Sequence, residues 1–266
     1  MSDRLQFVTP LFVPGHRPEL VRKAMASGAD AIIIDLEDAV PGEAKERARA
    51  SIGPAVGDLL VIVRINGTGT PWHNDDLAAA LRHPITAIMF PKAELGQGLG
   101  ELGSSADFKV PLIALLETAQ GISESRAVAA LPNVARLAFG SFDYCADIGC
   151  AHTRDSLLQA RSEIVLASRL AARPAPVDGV TGSIDDAEVL KDDARYAGEL
   201  GFGGKLCIHP RQIGPVREGF MPREDEIIRA RRILASGEGA AKVDGMMVDE
   251  PVRARARSVL RRAKLD

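Results

Sequence analysis

Short aliphatic runs recur along the chain, each followed by an amphipathic or alanine-rich stretch. The runs lie at residues 7–13, 31–36, 60–65, 86–90, 110–116, 135–140, 175–177 and 205–208. They are rich in Val, Ile and Leu without strict polar alternation, the pattern of strands covered on both faces. Between them the periodicity predicts helices over residues 18–27, 43–50, 75–82, 123–130, 156–171 and 185–200. Pro18 suits a first helical turn, and Gly28 and Gly201 sit where helix-ending glycines belong. The Gly-rich segment 96–105 predicts a loop. Strands alternating with helices imply parallel βα units. Eight such units in 266 residues match a (β/α)8 TIM barrel, typically about 250 residues long; a doubly wound open sheet is the competing arrangement. Two more helical stretches, 223–235 and 251–263, flank the Gly-rich passage SGEGAAKVDG and exceed a barrel's needs. The expected division is a TIM-barrel catalytic domain over 1–220 and a C-terminal helical extension or lid over 221–266.

Composition narrows the class of partner. The net charge is −3, so no global basic field steers the chain to nucleic acid or a membrane surface. With 8 Phe, 2 Tyr and 1 Trp, stacking platforms for single-stranded nucleic acid are few and the core must be aliphatic. Three cysteines, an odd and low count, fit a reducing compartment. The opening MSDRLQF has no apolar signal core, and no uncharged run approaches the ~18 residues of a membrane span. The expectation is a soluble cytoplasmic protein with a core large enough to need neither disulfides nor a structural metal.

In a barrel, chemistry gathers at the carboxyl ends of the strands. Those ends read Pro14-Gly15-His16-Arg17-Pro18, Asp35-Leu36-Glu37-Asp38, Arg64-Ile65-Asn66, Pro91-Lys92-Ala93-Glu94, Glu117-Thr118, Asp143 and His209-Pro210. Glu117 follows VPLIALL and Asp143 follows LAFGSF, about one βα unit later, so adjacent strands bring them together. Two carboxylates at one mouth repel unless a cation lies between them. Two hard oxygen ligands, with water or substrate completing the shell, suit Mg2+. Each carboxylate could equally serve the N-terminus of the helix that follows it. Arg64 ends the aliphatic VIVRIN and needs a partner there. The acidic cluster of Asp35, Glu37 and Asp38 could hold it as a structural pair, or could aim its fork at a substrate carboxylate.

Other candidates carry less. Cys145, Cys150 and His152 lack the paired spacing and fourth ligand of a zinc site, and the cysteines read as small core or loop residues. GFGGK at 201–205 fails as a phosphate loop, because Glu199 replaces the required first Gly and Leu206 follows the Lys. His16, His73 and His209 have no Ser or Cys nucleophile in register, which gives an acyl-enzyme hydrolase little support.

Seven segments together resemble the citrate lyase beta-subunit family, within the wider group of HpcH/HpaI aldolases and malyl-CoA lyases. They are VPGHRPELVRKAMASGADAIIIDLEDAV, VRING, FPKAE, ALLETAQGI, FGSFDY, PVDGV and GFGGKLCIHPRQI, in family order over nearly the whole chain. The resemblance implies a Mg2+-dependent (β/α)8 barrel that makes or breaks a carbon–carbon bond beside a keto or hydroxy acid. It implies that Glu117 of ETAQG and Asp143 of FGSFDY hold the metal, that Arg64 contacts the substrate carboxylate, and that Arg17 and Asp38 line the same mouth. The tail VDGMMVDEP looks like the family's lid motif, which implies that Asp249 is the acid delivered to a neighbouring subunit's site in a homotrimer or hexamer. No Schiff-base lysine is required, so Lys92 reads as an ion-pair or packing residue. Three activities follow. One is a free-standing lyase of malyl-CoA, citramalyl-CoA or citryl-CoA that gives an acetyl thioester and a 2-keto acid. The second is a citryl lyase subunit acting on an acyl carrier protein with partner subunits. The third is a metal-dependent acyl-CoA thioester hydrolase.

Overall fold

The computed structural model describes residues 5–53 and 59–263; residues 1–4 of the MSDRLQF segment lie outside it. Eight parallel strands follow one another around a ring: β1 (Pro10–Pro14), β2 (Ala31–Asp35), β3 (Leu60–Arg64), β4 (Ala87–Phe90), β5 (Leu112–Leu116), β6 (Val134–Phe139), β7 (Val177–Asp178) and β8 (Gly204–Lys205). The segment that continues β8 closes the ring on β1. Phe12 N–H donates to Cys207 O at 2.8 Å, and Cys207 N–H donates to Pro10 O at 2.9 Å. The result is the expected (β/α)8 barrel. Its last two strands are two residues each, shorter than the apolar runs suggest, and the seam with the chain before β1 is close-packed. A Cβ on Gly204 would lie 2.8 Å from the carbonyl oxygens of both Phe7 and Val8.

Helices fill the connections: α1 (Pro18–Met25), α2 (Lys45–Arg49), α3 (His73–Leu81), α4 (Gly100–Ser104), α5 (Ala119–Ser123), α6 (Ser125–Ala130), α7 (Ser141–Ile148), α8 (Arg154–Leu170), α9 (Ala187–Leu200), α10 (Ile213–Phe220), α11 (Glu224–Ala235) and α12 (Glu250–Arg262). Four regions differ from the sequence expectation. The single helix over 123–130 is two short ones that meet at Glu124. The Gly-rich segment 96–105 coils into a wide turn, Leu95–Leu99, and then α4. Helices α7 and α10 carry weak signals: α7 abuts β6 through Gly140 alone, and α10 contains a Pro and two Gly, poor helix formers.

Side-chain parity places the site. Within each strand alternate residues face the barrel axis, and Ile33, Ile62, Met89, Ile113, Leu115, Ala138, Val177 and Leu206 form that interior. Their neighbours, such as Ile32, Ile34, Val61, Val63, Leu112 and Leu116, face the helices. One step further along the inward face, Ile33 is succeeded by Asp35, Ile62 by Arg64, and Leu115 by Glu117. The aliphatic plug thus carries a charged rim at its carboxyl end. At the opposite end Arg136, inward by the same parity, donates to Leu5 O at 2.7 Å, Phe7 O at 2.9 Å and Ala175 O at 2.8 Å. Burial pushes its guanidinium down to about 9, and the three carbonyls satisfy it.

The C-terminal segment has a core of its own, with Ala230, Ile233, Val248, Ala256, Val259 and Leu260. Its Gly-rich passage leads into a hairpin, β9 (Ala241–Val243) paired with β10 (Met246–Val248). Asp244 (φ +51°) and Gly245 (φ +80°) make its two-residue reversal, as an Asp-Gly pair between short apolar runs favours. Among the described residues no helix is long and apolar enough to cross a membrane.

Candidate active site

A cavity of about 390 Å3 opens at the carboxyl end of the barrel, walled by Phe12, Asp35, Asp38, Arg64, Glu117 and Asp143 and floored by Leu115 and Leu206. Its most ordered feature is the Arg64 guanidinium. Nε and Nη2 each donate to Asp35 at 2.7 Å. Nη1 lies 3.0 Å from Glu37 and 3.4 Å from Asp38. Burial opposes the charge on Arg64, but Asp35, Glu37 and Glu117 outweigh it and hold the guanidinium protonated. Asp35 is pinned in turn by the backbone N–H groups of Glu37 (2.9 Å) and Ala39 (3.1 Å). Arg64 is thus a structural partner of Asp35 along one edge, and it also lines the cavity.

Glu117 follows β5 directly and is 1% exposed. It does not cap α5, since that task falls to Thr118, whose hydroxyl accepts from Gly121 N–H. Its Oε1 accepts from the backbone N–H of Lys92 at 2.8 Å, whereas Oε2 is buried with no hydrogen-bond partner. Burial and the charge of Glu37, with a further push from Asp143, raise its carboxyl to about 8. Behind it, a Cβ on Gly140 would collide with Oε2, so only glycine leaves room for this carboxylate. Asp143 sits in the first turn of α7 without a capping bond and stays exposed. A buried, unpartnered oxygen beside a second carboxylate is a donor set that suits a hard divalent cation. Among the described residues no group of three or more His, Cys, Asp or Glu is placed to hold a metal ion.

Other expected residues lie elsewhere. Arg17 is exposed and pairs with Glu19 at 2.5 Å; it is not in the cavity wall. Asp249 caps α12, accepting from Val252 N–H at 3.3 Å, and is likewise not in the wall. Lys92 forms an ion pair, 2.9 Å from Glu37. Cys145 and Cys150 are free thiols with sulfurs 3.5 Å apart at the end of α7.

Several contributors went unread in the sequence. Lys45 donates to Leu36 O, Glu37 O and Asn66 Oδ1 at 2.7–2.8 Å, which fixes the ends of β2 and β3 from beneath. Ser141, in the cavity wall, lies 2.9 Å from His152 Nε2, whose ring stacks on Phe142 at 4.0 Å. That contact ties the start of α7, and with it Asp143, to the loop before α8. Proximity in sequence to α7 was the available signal for His152.

Comparison with known proteins bears on this arrangement. The model of the HpcH/HpaI aldolase/citrate lyase family matches residues 9–210. A citrate lyase subunit beta-like protein of Deinococcus radiodurans is 38% identical, over 94% of this chain and 95% of its own. A (3S)-malyl-CoA thioesterase of Cereibacter sphaeroides is 33% identical, over 97% of this chain and 95% of its own. Among solved structures, protein CitE of Mycobacterium tuberculosis, in complex with magnesium, acetoacetate and coenzyme A, superposes with a TM-score of 0.86 at 35% identity. That match covers 98% of this chain and 99% of the other.

Proposed function

The chain belongs to the HpcH/HpaI aldolase/citrate lyase family, and from that membership we propose that it is a Mg2+-dependent carbon–carbon lyase of a 3-hydroxy acyl thioester. Malyl-CoA, citramalyl-CoA and citryl-CoA are the candidate substrates. The observation that carries the reading is the orphaned Oε2 of Glu117, buried in the wall of a cavity that also holds Asp143 and Arg64. The magnesium and coenzyme A bound by the M. tuberculosis protein support the same assignment.

In this reading Glu117 and Asp143 are the residues that would hold the ion. Mg2+ supplies Lewis-acid stabilisation of the charge that develops on the substrate's oxygens. Arg64, held by Asp35, orients the acid's carboxylate through the Nη2 N–H left over from that pair and by its charge. The apolar floor of Leu115 and Leu206 keeps the reacting carbons out of bulk water. A base removes the hydroxyl proton; the bond between C2 and C3 breaks; the electron pair passes to the thioester enolate, and a 2-keto acid departs. Asp249 is the candidate that protonates C2 to give the acetyl thioester. Because Asp249 is not in its own cavity wall, it serves a neighbouring copy in a homotrimer or hexamer. Arg17 and Asp38 form the outer rim that meets the thioester's carrier, coenzyme A or an acyl carrier protein.

A second reading, hydrolysis of the same thioester, is favoured by the match to a malyl-CoA thioesterase along the full chain. Product analysis separates the two. Purified enzyme with Mg2+ is incubated with each of the three thioesters. Acetyl-CoA with glyoxylate, pyruvate or oxaloacetate establishes lysis. Free hydroxy acid with coenzyme A and no acetyl-CoA overturns it in favour of hydrolysis.

A further inference from the structure

Lys92 holds a backbone conformation that a residue with a side chain rarely adopts. Its φ is +45°, in the left-handed region, which is costly for any residue bearing a Cβ and persists only where its surroundings hold it. The side chain is 48% exposed, while the backbone on either side is packed: Pro91 and Ala93 are buried, and Ala93 N–H donates to Leu115 O at 3.0 Å. Polar contacts of Lys92 itself add to that, among them its ammonium 3.9 Å from Glu117 Oε1. Its amide N–H donates to Glu117 Oε1 at 2.8 Å, and its ammonium donates to Glu37 Oε1 at 2.9 Å. Glu37 is itself fixed by the Arg64 guanidinium, 3.0 Å away.

The consequence falls on Glu117. One oxygen is taken by the Lys92 amide, and the other is left buried and unpartnered. Gly140 keeps the space beside that second oxygen free. We propose that Lys92 is a positioning residue: anchored by its ammonium on Glu37, its left-handed backbone aims the amide at Glu117 Oε1 and thereby presents Oε2 to the divalent cation. The inference rests on the reading of Glu117 as a Mg2+ ligand. It differs from a simple counter-charge role. An ammonium that only balanced the acidic cluster would repel the cation, so its removal would tighten Mg2+ binding. An anchor's removal weakens it.

Isothermal calorimetry with Mg2+ decides, on wild type, Lys92→Ala, Lys92→Gly and Glu117→Gln, each checked for folding by circular dichroism and thermal unfolding. Lys92→Ala loses the anchor and keeps the Cβ, so the backbone relaxes to negative φ and the amide leaves Glu117. Affinity is expected to fall about tenfold or more, as for other groups that orient a metal ligand. Lys92→Gly loses the same ammonium but adopts positive φ freely. It is expected to bind about threefold or more tighter than the Ala variant, though weaker than wild type. If Lys92→Ala does not fold, Lys92→Gln takes its place, with the same order below Gly. Equal affinities in the Gly and Cβ-bearing variants, or tighter binding than wild type in either, overturn the inference. Wild type that binds no Mg2+, or Glu117→Gln that binds as wild type does, overturns the metal reading itself and the Lys92 inference with it.

Discussion

Asp35 accepts both the Nε and the Nη2 of Arg64 at 2.7 Å, a two-bond pair inside the cavity wall where neither side chain has ready access to bulk water. Breaking one side of a buried pair strands the other charge, at a cost of about 3–5 kcal/mol. Glu37 and Asp38 still face the Arg64 Nη1, so Asp35→Asn is expected to lower unfolding free energy by less than that full amount, about 1–3 kcal/mol, in denaturant titrations. Arg64→Lys keeps the charge but loses the planar fork, so it should raise KM for the thioester even where the fold survives. A Lys variant with wild-type kinetics would leave Arg64 as a structural partner of Asp35 alone.

Gly140 provides a test of the carboxylate's setting that leaves every charge in place. A Cβ there collides with both Oε2 and Cβ of Glu117, so Gly140→Ala must displace that side chain and its carboxylate. Mg2+ affinity is expected to fall about 10-fold to 100-fold, measured by calorimetry. Unchanged affinity would mean that Oε2 is not the ligand.

How much of this was legible beforehand varied with the kind of interaction. The barrel followed from eight aliphatic runs, and Glu117 and Arg64 from their place just past such runs, where inward parity turns from apolar to charged. The Asp35 cluster beside Arg64 was visible as composition, although its two-bond geometry was not. Helix α7 went unread because β6 passes into it through a single residue, Gly140. Lys92 was legible as an ion-pair residue, but neither its positive φ nor its contacts with Glu37 and Glu117, which lie far away in sequence, could be read from its neighbours. The hairpin 241–248 was hidden in a passage that reads as merely Gly-rich, although Asp244-Gly245 is a local turn signal.

A second buried cluster contributes to acid stability. Asp178 lies 2.9 Å from Arg161 and 2.8 Å from Lys205. Burial raises its carboxyl, but Lys205 and Arg161 outweigh that and hold it below its ordinary 3.8. A carboxyl whose folded value is depressed contributes stability above its unfolded value, and this is lost as pH falls through the folded one. Asp178→Asn is thus expected to be less stable than wild type near neutrality, with the gap shrinking below about pH 4. A gap constant from pH 6 to pH 2 would contradict the assignment.

Asp249 caps α12 at 3.3 Å in the single chain, and the proposal gives it a second task in a neighbouring site. Mixing inactive Asp249→Ala with inactive Glu117→Gln subunits tests it. Partial recovery of activity is expected, because some mixed sites contain both intact residues. Confirmed subunit exchange with no recovery would leave Asp249 as a helix cap only.

The most direct measurement is Mg2+ titration by calorimetry of wild type, Glu117→Gln and Asp143→Asn, with acetyl-CoA formation followed on the same samples. Wild type should bind one Mg2+ per chain and form acetyl-CoA only when the ion is present. Both variants should lose binding and turnover together while their thermal unfolding stays cooperative. Wild-type Mg2+ affinity in both variants, or acetyl-CoA formed at full rate in excess chelator, would contradict the assignment of Glu117 and Asp143 as the metal site of a carbon–carbon lyase.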